Sequence, residues 1–228
     1  SLKAIDLSKV TAVGSNAFYR VPLGAVDLSN VVTIGDNGFR EAKGLSLIGD
    51  TSKIKTLGSM AFDNCHGIEG EVYFPSLTSF GTFCFRGCKF TKFSAPILTN
   101  TSNSAFTNCG NLESVDLPAC TSLASYLFAE NGTKNTVMKK LSLPSCTNLS
   151  NYSLNLFMNL EVLVLAANSV CTLGGVDAIR NVSPIRTGTG HVYVPAALIE
   201  SYKTATNWST LYAANPDIFQ PIEGSEYE

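Results

Sequence analysis

The sequence predicts a solenoid, in which short parallel β-strands and tight turns stack coil upon coil, with little helix before a C-terminal cap. Three observations support this prediction. One apolar pattern recurs from Leu2 to about Val176, small residues recur in columns of their own, and the pattern stops before the final part of the chain. Repetition at a period of 20 to 50 residues is typical of stacked repeat architectures.

The repeating unit is clearest at residues 112–128, LESVDLPACTSLASYLF. Leu112, Val115 and Leu117 indicate a short strand, because strand side chains alternate between two faces. Phe128 is the large apolar residue that closes the coil, and we call the residue at this position the plug. Residues eight and five positions before the plug are also apolar in most coils.

The plugs recur at intervals of 21 to 26 residues. They are Phe18, Phe39, Phe62, Phe85, Phe106, Phe128, Leu154 and, with a looser fit, Val176. No coil of this length can bury its own apolar edge, so its stability depends on the neighbouring coils. We therefore expect one elongated domain, with the plugs aligned in a row inside it.

Glycine stands four residues before the plug in the first four coils, at Gly14, Gly35, Gly58 and Gly81. This column is expected to need a positive φ or a close approach to the neighbouring coil, both of which favour glycine.

Five of the seven cysteines also follow the repeat. Cys65, Cys88 and Cys109 stand three residues after a plug, whereas Cys120 and Cys146 stand eight before one. A disulfide framework is the alternative, but seven is an odd number, and recurrence by repeat position favours buried packing of free thiols.

The runs TAVGSNAF, VTIGDNGF, KTLGSMAFDNC and SAFTNCGNLESVDLP resemble the BspA-type leucine-rich repeat, over about Leu2 to Leu165. The resemblance implies a leucine-rich repeat solenoid, a horseshoe-type right-handed superhelix. It also implies a secreted or surface-anchored bacterial protein that adheres to host matrix, host cells or other bacteria. Thr51 and Ala95, where strands lack their apolar residue, and Leu154 depart from the pattern.

Residues 1–180 are predicted to form about eight coils of 21–26 residues, and residues 181–228 a C-terminal cap with a strand and a helix. We expect a bulge from one extra residue within Leu45–Asp50, an exposed loop at ENGTKNTVMKK and a linker at NVSPIRTGTG.

In the cap, Val192 and Val194 predict a final strand. Leu198, Tyr202 and Ala205 predict one face of a helix, and Trp208 is expected to pack within the cap. Because the pattern is already under way at Leu2, we interpret the sequence as a fragment.

Little in the sequence indicates catalysis. The sequence has 16 Lys and Arg residues against 18 Asp and Glu residues, and it has no basic stripe that would bind nucleic acid. It has no apolar run long enough to span a membrane. A phosphate-binding loop and a dinucleotide-binding motif are also absent from the sequence. His66 and His191 lie far apart, and no GxSxG motif is present. Zinc binding by Cys65, His66, Cys84 and Cys88 is disfavoured because the paired short spacing is missing. We expect no enzyme activity, cofactor or metal.

Function is therefore expected at the solenoid surface. The alternation of strand side chains predicts an outward, concave column of Asp6, Asp27, Asp50, Tyr73, Ser94, Asp116, Ser142 and Val164, beside a second of Ala4, Ala25, Lys92, Ser114, Lys140 and Val162. The candidate binding residues are Asp27, Tyr73, Lys92, Ser94, Asp116 and Lys140.

We expect a monomeric recognition module, whose partner the resemblance places among host matrix proteins, cell-surface proteins and glycans. Three hypotheses remain open at this point. The chain is a recognition module, or a structural spacer of a larger surface protein with no ligand of its own, or an enzyme. A cleft uniting His66 or His191 with a Ser or Cys and an acid would support the enzyme.

Overall fold

A computed structural model describes residues 5–48, 50–128 and 135–228 of the chain. Short strands and turns alternate along most of it, and all of the strand pairing is parallel. The strands are β1 (Ala12–Val13), β2 (Ala25–Asp27), β3 (Thr33–Ile34), β4 (Ser46–Ile48), β5 (Thr56–Leu57), β6 (Glu69–Tyr73), β7 (Ser79–Phe80), β8 (Lys89–Ser94), β9 (Ser114–Asp116), β10 (Ser122–Leu123), β11 (Lys140–Ser142), β12 (Asn148–Leu149), β13 (Val162–Val164), β14 (Thr172–Leu173), β15 (His191–Val194) and β16 (Phe219–Pro221). The fold is the predicted parallel-strand solenoid.

The strands form two ladders, and most coils contribute one strand to each. The long-strand ladder consists of three sheets, β2-β4, β6-β8-β9 and β11-β13-β15-β16. The short-strand ladder consists of β1-β3-β5-β7 and β10-β12-β14, with a bridge from Asn100 to Ser122 between these two sheets. Residues at the same position in successive coils therefore lie side by side.

The plugs form the predicted row inside the molecule. The rings of Phe18, Phe39, Phe62, Phe85, Phe106 and Phe128 stack consecutively, with centroid separations of 5.1, 5.6, 5.8, 5.6 and 5.7 Å. Five of the six are buried, and Phe18 is half-buried. Offset stacking at these separations is favourable beyond the burial of apolar area. The row therefore joins the first six coils into one continuous core.

The row changes position in the seventh coil. Leu154 is fully buried at the plug position, but the ring contact to Phe128 comes from Phe157, three residues further on, at 4.6 Å. Phe157 occupies the repeat position that cysteine holds in earlier coils, so a leucine–phenylalanine pair replaces a phenylalanine–cysteine pair. The ring therefore stays in the core at a position three residues later, and Leu154 fills the plug position.

The predicted plug Val176 is wrong. Val176 is half-buried at the start of a 3-10 helix (Val176–Ile179), whereas Ile179 is fully buried. In earlier coils the N–H of the plug donates to the carbonyl of the residue just before the next plug. The N–H of the plug Leu154 donates to Ala178 O at 2.9 Å, which makes the following residue the next plug. Ile179 is therefore the plug, and the helical turn adds residues to this coil.

The glycine column serves close approach rather than a positive φ. A Cβ atom at Gly35, Gly58 or Gly81 would lie 2.7, 2.5 or 2.4 Å from a backbone nitrogen of the preceding coil. Positive φ values occur instead two residues before the plug, where the chain carries Asn16, Asn37, Met60, Phe83, Ser104, Tyr126 and Tyr152. The sharp turn thus tolerates several residue types, whereas the preceding coil leaves no room for a Cβ at Gly35, Gly58 and Gly81; at Gly14 a Cβ would meet nothing within 4 Å.

All seven cysteines are free and buried. The thiols of Cys65, Cys88 and Cys109 donate to the carbonyls of Phe39, Phe62 and Phe85, at 3.0, 3.2 and 3.1 Å. Each of these acceptors is the plug of the preceding coil, so this column ties consecutive coils together. Cys171 lies eight residues before Ile179 and thereby extends the column of Cys120 and Cys146.

A buried carboxylate joins three neighbouring coils. Asp63 is fully buried and accepts hydrogen bonds from Arg86 Nε and Arg86 Nη2, both at 2.7 Å, and from Arg40 Nε at 3.0 Å. Asn64 Nδ2 donates to the same carboxylate at 3.0 Å. Burial of a charge is costly unless it is paired and hydrogen-bonded, and Asp63 meets both conditions.

The predicted exposed loop at ENGTKNTVMKK lies partly outside the described residues, at 130–134. The prediction is wrong for part of the remainder, because Asn135 and Met138 are buried. Asn135 Nδ2 donates to Leu112 O at 2.7 Å, and its Oδ1 accepts from the N–H groups of Val137 and Met138. The end of the insertion is thus tied to the preceding coil.

The predicted bulge within Leu45–Asp50 includes Gly49, which is outside the described residues. Strand β4 pairs with β2 in regular register up to Ile48. A register shift occurs instead between Gly70 and Glu71 of β6, where it pairs with β8.

The predicted linker NVSPIRTGTG is instead a short helix, α1 (Ser183–Thr187), which buries Ile185. Pro at the first turn favours a helix start, and Gly188 ends the helix with a φ of 88°. The predicted strand appears as β15, but it is not the last, because β16 pairs with it.

The cap helices are α2 (Ile199–Thr204), preceded by a 3-10 turn (Ala196–Leu198), and α3 (Trp208–Ala214). Trp208 is fully buried, as expected, and contacts the rings of Tyr202 and Phe219. Trp208 Nε1 donates to Cys171 O at 2.7 Å, and the Cys171 N–H donates to Tyr202 Oη at 2.8 Å. The cap thus covers edge strand β14, whose backbone groups would otherwise be open to other chains.

Candidate functional site

The candidate site is the outward surface of the long-strand ladder, which we call the strand face. Most long strands have a buried residue that points inward, namely Val26 in β2, Val72 in β6, Phe93 in β8, Val115 in β9 and Leu141 in β11. The residues on either side of it point outward, as the period of two requires. The predicted binding residues occupy these outward positions.

Four of the six candidate residues lie together on the sheet β6-β8-β9. Tyr73, Ser94 and Asp116 are paired in register across the three strands, and Lys92 is paired with Ser114 two residues earlier. Asp27 and Lys140 lie on the two flanking sheets. The strand register therefore places an aromatic ring, an ammonium group and a carboxylate on adjacent strands.

The polar side chains of this sheet interact across the strands. Lys92 Nζ lies 2.5 Å from Glu71 Oε1, and this hydrogen bond raises the pKa of Lys92. Ser94 Oγ donates to Asp116 Oδ2 at 2.8 Å. The Tyr73 ring is 56 % exposed, the highest exposure among the large apolar side chains of the described residues.

Glu71 belongs to this site although it is absent from the sequence-based columns. It pairs in register with Lys92. Stepping back two residues from Tyr73 along the same strand would have identified it, since alternate strand residues share a face.

The acidic residues at the start of the strand face are engaged in turns. Asp6, Asp27 and Asp50 each accept a hydrogen bond from the N–H of the serine two residues later, at 2.8, 2.9 and 2.8 Å. The hydroxyl and N–H of Ser29 lower the pKa of Asp27. At turns, an Asp carboxylate commonly accepts a hydrogen bond from the backbone N–H two residues later.

Asp116 differs from these residues for a reason visible in the sequence. The residue two positions later is Pro118, which has no N–H to donate. The Asp116 carboxylate is exposed and turned across the ladder to Ser94 instead. Asp116 is therefore better placed than Asp27 to meet a partner.

The predicted column is wrong at Asp50, because Asp27 pairs in register with Ile48. The extra residues between Ile48 and Thr51 displace Asp50 from the row. Among the described residues, no strand pairing joins β4 to β6. A recess of about 220 Å³ opens there, lined by Leu47, Asp50, Thr51, Glu71, Val72 and Tyr73.

The C-terminal part of the strand face has a different character. Lys140, Val162 and His191 form one row in register, and Ser142, Val164 and Tyr193 form the next. Val164 is only 2 % exposed although it belongs to an outward row. Val164 is therefore covered, although the predicted column places it at the surface.

The described residues offer little for covalent chemistry. Burial raises the pKa values of Cys65 and Cys109 to about 12 and that of Cys120 to about 11, which disfavours the nucleophilic thiolate. His66 is exposed in a turn, and His191 Nδ1 lies 3.0 Å from Asp217 O. Within residues 5–48, 50–128 and 135–228, no group of three or more His, Cys, Asp or Glu could hold a metal ion.

Of the helices in the described part of the chain, none is long and apolar enough to cross a membrane.

The comparisons with known proteins concern the repeat and the fold. The family model described as "BspA type Leucine rich repeat region" matches residues 1–89 and 70–175, with six copies. No curated protein matches the chain.

Several solved structures are similar to this chain. A leucine-rich repeat protein from Bacteroides ovatus ATCC 8483 has a TM-score of 0.57 at 20 % identity, over 81 % of this chain and 59 % of that one. The chain thus spans less than two thirds of that protein.

Two further structures are more distant. A TLR13–ssRNA13 complex has a TM-score of 0.49 at 14 % identity, over 85 % of this chain and 30 % of that one. A leucine rich cell surface protein from Faecalibacterium prausnitzii A2-165 has a TM-score of 0.33 at 14 % identity, over 81 % of this chain and 64 % of that one. The structural similarity therefore depends on the Bacteroides protein and concerns the fold alone.

Proposed function

Because the chain belongs to the BspA-type leucine-rich repeat family, we propose that it is a noncatalytic recognition module of a bacterial cell-surface or secreted protein. It binds a protein or glycan partner through the strand face. The partner belongs to a host matrix, a host cell surface or another bacterium. The observation that carries the proposal is the set of exposed groups on the sheet β6-β8-β9.

These groups suit recognition because they can be rearranged at little cost. The Lys92–Glu71 ion pair is exposed, with side-chain exposures of 51 % and 69 %, and exposed pairs of this kind contribute little to stability. A partner can therefore take over either charge without a large penalty. The exposed Tyr73 ring adds apolar contact area and a hydroxyl group, a combination that is enriched at binding sites.

The rigidity of the site also favours binding. Its side chains are carried on paired strands whose inward residues, such as Phe93, are fixed in the core. A rigid surface loses little conformational freedom when a partner docks, and affinity depends strongly on this cost. Extended solenoid surfaces are used in this way by repeat proteins.

The proposal is tested by a binding screen against extracellular matrix proteins and glycans, followed by a variant in which Tyr73, Lys92 and Asp116 are replaced together by alanine. We expect saturable binding by the unchanged chain and a loss of at least tenfold in affinity for the triple variant. Circular dichroism spectra of both chains establish that the fold is retained.

A matched control replaces Tyr126, Lys55 and Glu200 by alanine. These side chains are exposed but lie outside the strand face. Equal losses for the two triple variants would refute the assignment of the strand face. The absence of saturable binding across the screen would favour the structural spacer instead.

A further inference from the structure

Residues 222–228 fold back against the end of the long-strand ladder. The Ile222 N–H donates to Val194 O at 3.0 Å, and Glu223 Oε2 accepts from the Ala196 N–H at 2.8 Å. The backbone then reverses at Gly224, with a φ of 77°, and the Gly224 N–H donates to Glu228 Oε2 at 3.0 Å. The segment is therefore held in a defined turn rather than extended into solvent.

This turn places the Tyr227 ring on the strand face. The ring centroid lies 4.5 Å from that of Tyr193, with an interplanar angle of 70°, and Lys140 Nζ lies 4.1 Å from the Tyr227 centroid. Tyr193 belongs to β15 and Lys140 to β11, and β13 runs between these strands. Tyr227 thus spans β13, the strand that carries Val164.

The residues around the Tyr227 ring favour an aromatic group that is accompanied by negative charge. An ammonium group within about 6 Å of a ring centroid attracts the face of the ring, and an edge-to-face contact at the Tyr193 distance is also favourable. The six outward residues of β11, β13 and β15 include Lys140 and His191 but no carboxylate. Asp27, Glu71 and Asp116, by contrast, lie on the sheets nearer the N-terminus.

We infer that Lys140, Tyr193 and the surface of β13 form a subsite for the aromatic ring of an acidic, tyrosine-containing peptide segment of a partner, and that Tyr227 occupies this subsite within the chain. The inference rests on the proposed function, because it identifies the chemistry of one part of the same strand face. The carboxylates of Glu226 and Glu228 flank Tyr227 in sequence, so the intramolecular occupant is itself such a segment.

Tyr227 is joined to the subsite by a short stretch of chain, and such a linkage corresponds to a local concentration in the millimolar range. Tyr227 therefore competes strongly with a free peptide for the subsite. A partner peptide must therefore displace Tyr227. Removal of this ring is expected to open the subsite without any change to its walls.

The test is an NMR titration of the full chain with an acetylated synthetic peptide that has the sequence of residues 222–228. We expect the Tyr227→Ala chain to bind the peptide at least tenfold more tightly than the unchanged chain, with saturable shifts of the Lys140 and Tyr193 amide signals. The same peptide with alanine in place of tyrosine should cause no saturable shift. Adding Lys140→Ala to the Tyr227→Ala chain should weaken binding at least threefold, whereas adding Lys55→Ala, outside the strand face, should not.

Equal affinity for the unchanged and Tyr227→Ala chains, or shifts confined to other parts of the molecule, would overturn the inference. So would the absence of saturable binding to a Tyr227→Ala chain whose spectrum shows the native fold. The titration uses no foreign partner, so its failure would leave the Tyr73, Lys92 and Asp116 test of the proposed function unaffected.

Discussion

Replacement of Phe106 by alanine is expected to lower the free energy of unfolding by about 3–5 kcal/mol, the usual cost of emptying a buried phenylalanine site. Phe106 is 1 % exposed and stacks between Phe85 and Phe128, at 5.6 and 5.7 Å. Its ring also meets Phe80 and Phe93 edge to face, at 5.8 and 4.8 Å. Because aromatic pairs add about 0.5–1.5 kcal/mol beyond area burial, the loss should lie in the upper part of the range.

The measurement is urea unfolding followed by far-UV circular dichroism and by fluorescence of Trp208, which is the only tryptophan. The first signal reports on the whole solenoid and the second on the cap. Coils contact mainly their neighbours, so a weakened central coil can separate the two transitions. The free energy is then taken from the transition that includes the central coils.

Phe83→Ala is the matched control. Phe83 is half-buried, and its ring is covered by the Arg86 guanidinium at 4.5 Å rather than by the core. Its truncation should cost less than about 1 kcal/mol, as for a surface cation–π contact. A Phe106→Ala chain that loses no more than the Phe83→Ala chain would refute the assignment of the plug row.

Three further perturbations follow from the structure. Asp63→Ala should cost about 2–3 kcal/mol in urea unfolding, somewhat below the usual loss for a broken buried ion pair, because the two arginines beside Asp63 are about a quarter exposed and can rehydrate. An unchanged midpoint would contradict this. Trp208→Ala should lower the melting temperature and cause self-association in size-exclusion chromatography, because the strand edge at Cys171 is uncovered; a stable monomer would argue against the capping role. The depressed pKa of Asp27 means that its stabilising contribution is present above the unfolded-state pKa of about 3.9 and is lost as pH falls through the folded-state value. Carboxyl NMR titration should show this pKa rising toward 3.9 in the Ser29→Ala chain, and no change would contradict the role of the Ser29 hydroxyl.

The core could be predicted from the sequence because burial constrains it most strictly. A plug position that must accept a large apolar side chain in every coil leaves a regular signal, and Phe39, Phe62 and Phe85 carry it. The signal failed where the coil length changed. Val176 satisfies the spacing, but the short helix before Ile179 adds residues, and spacing alone cannot reveal a helical turn inserted into a coil.

The strand face was only partly predictable for a related reason. Alternation identified Tyr73, Lys92, Ser94 and Asp116 as outward residues on neighbouring strands. It could not show which carboxylates are engaged locally, although the serine two residues after Asp27 is a usable signal. Nor could it show that Tyr227 lies over β13, because that contact depends on a chain reversal at Gly224 and not on the repeat.

Engineered cross-linking tests most directly the claim that successive coils stack in register along the strand face. Ser94 and Asp116 are register partners on adjacent strands, which lie about 4.8 Å apart and within the range that a disulfide can span. A Ser94→Cys, Asp116→Cys chain should form this disulfide under mild oxidation, as identified by peptide mass mapping. A Tyr73→Cys, Asp116→Cys chain should not, because another strand lies between the two thiols. Cross-linking of the second pair in preference to the first would contradict the account.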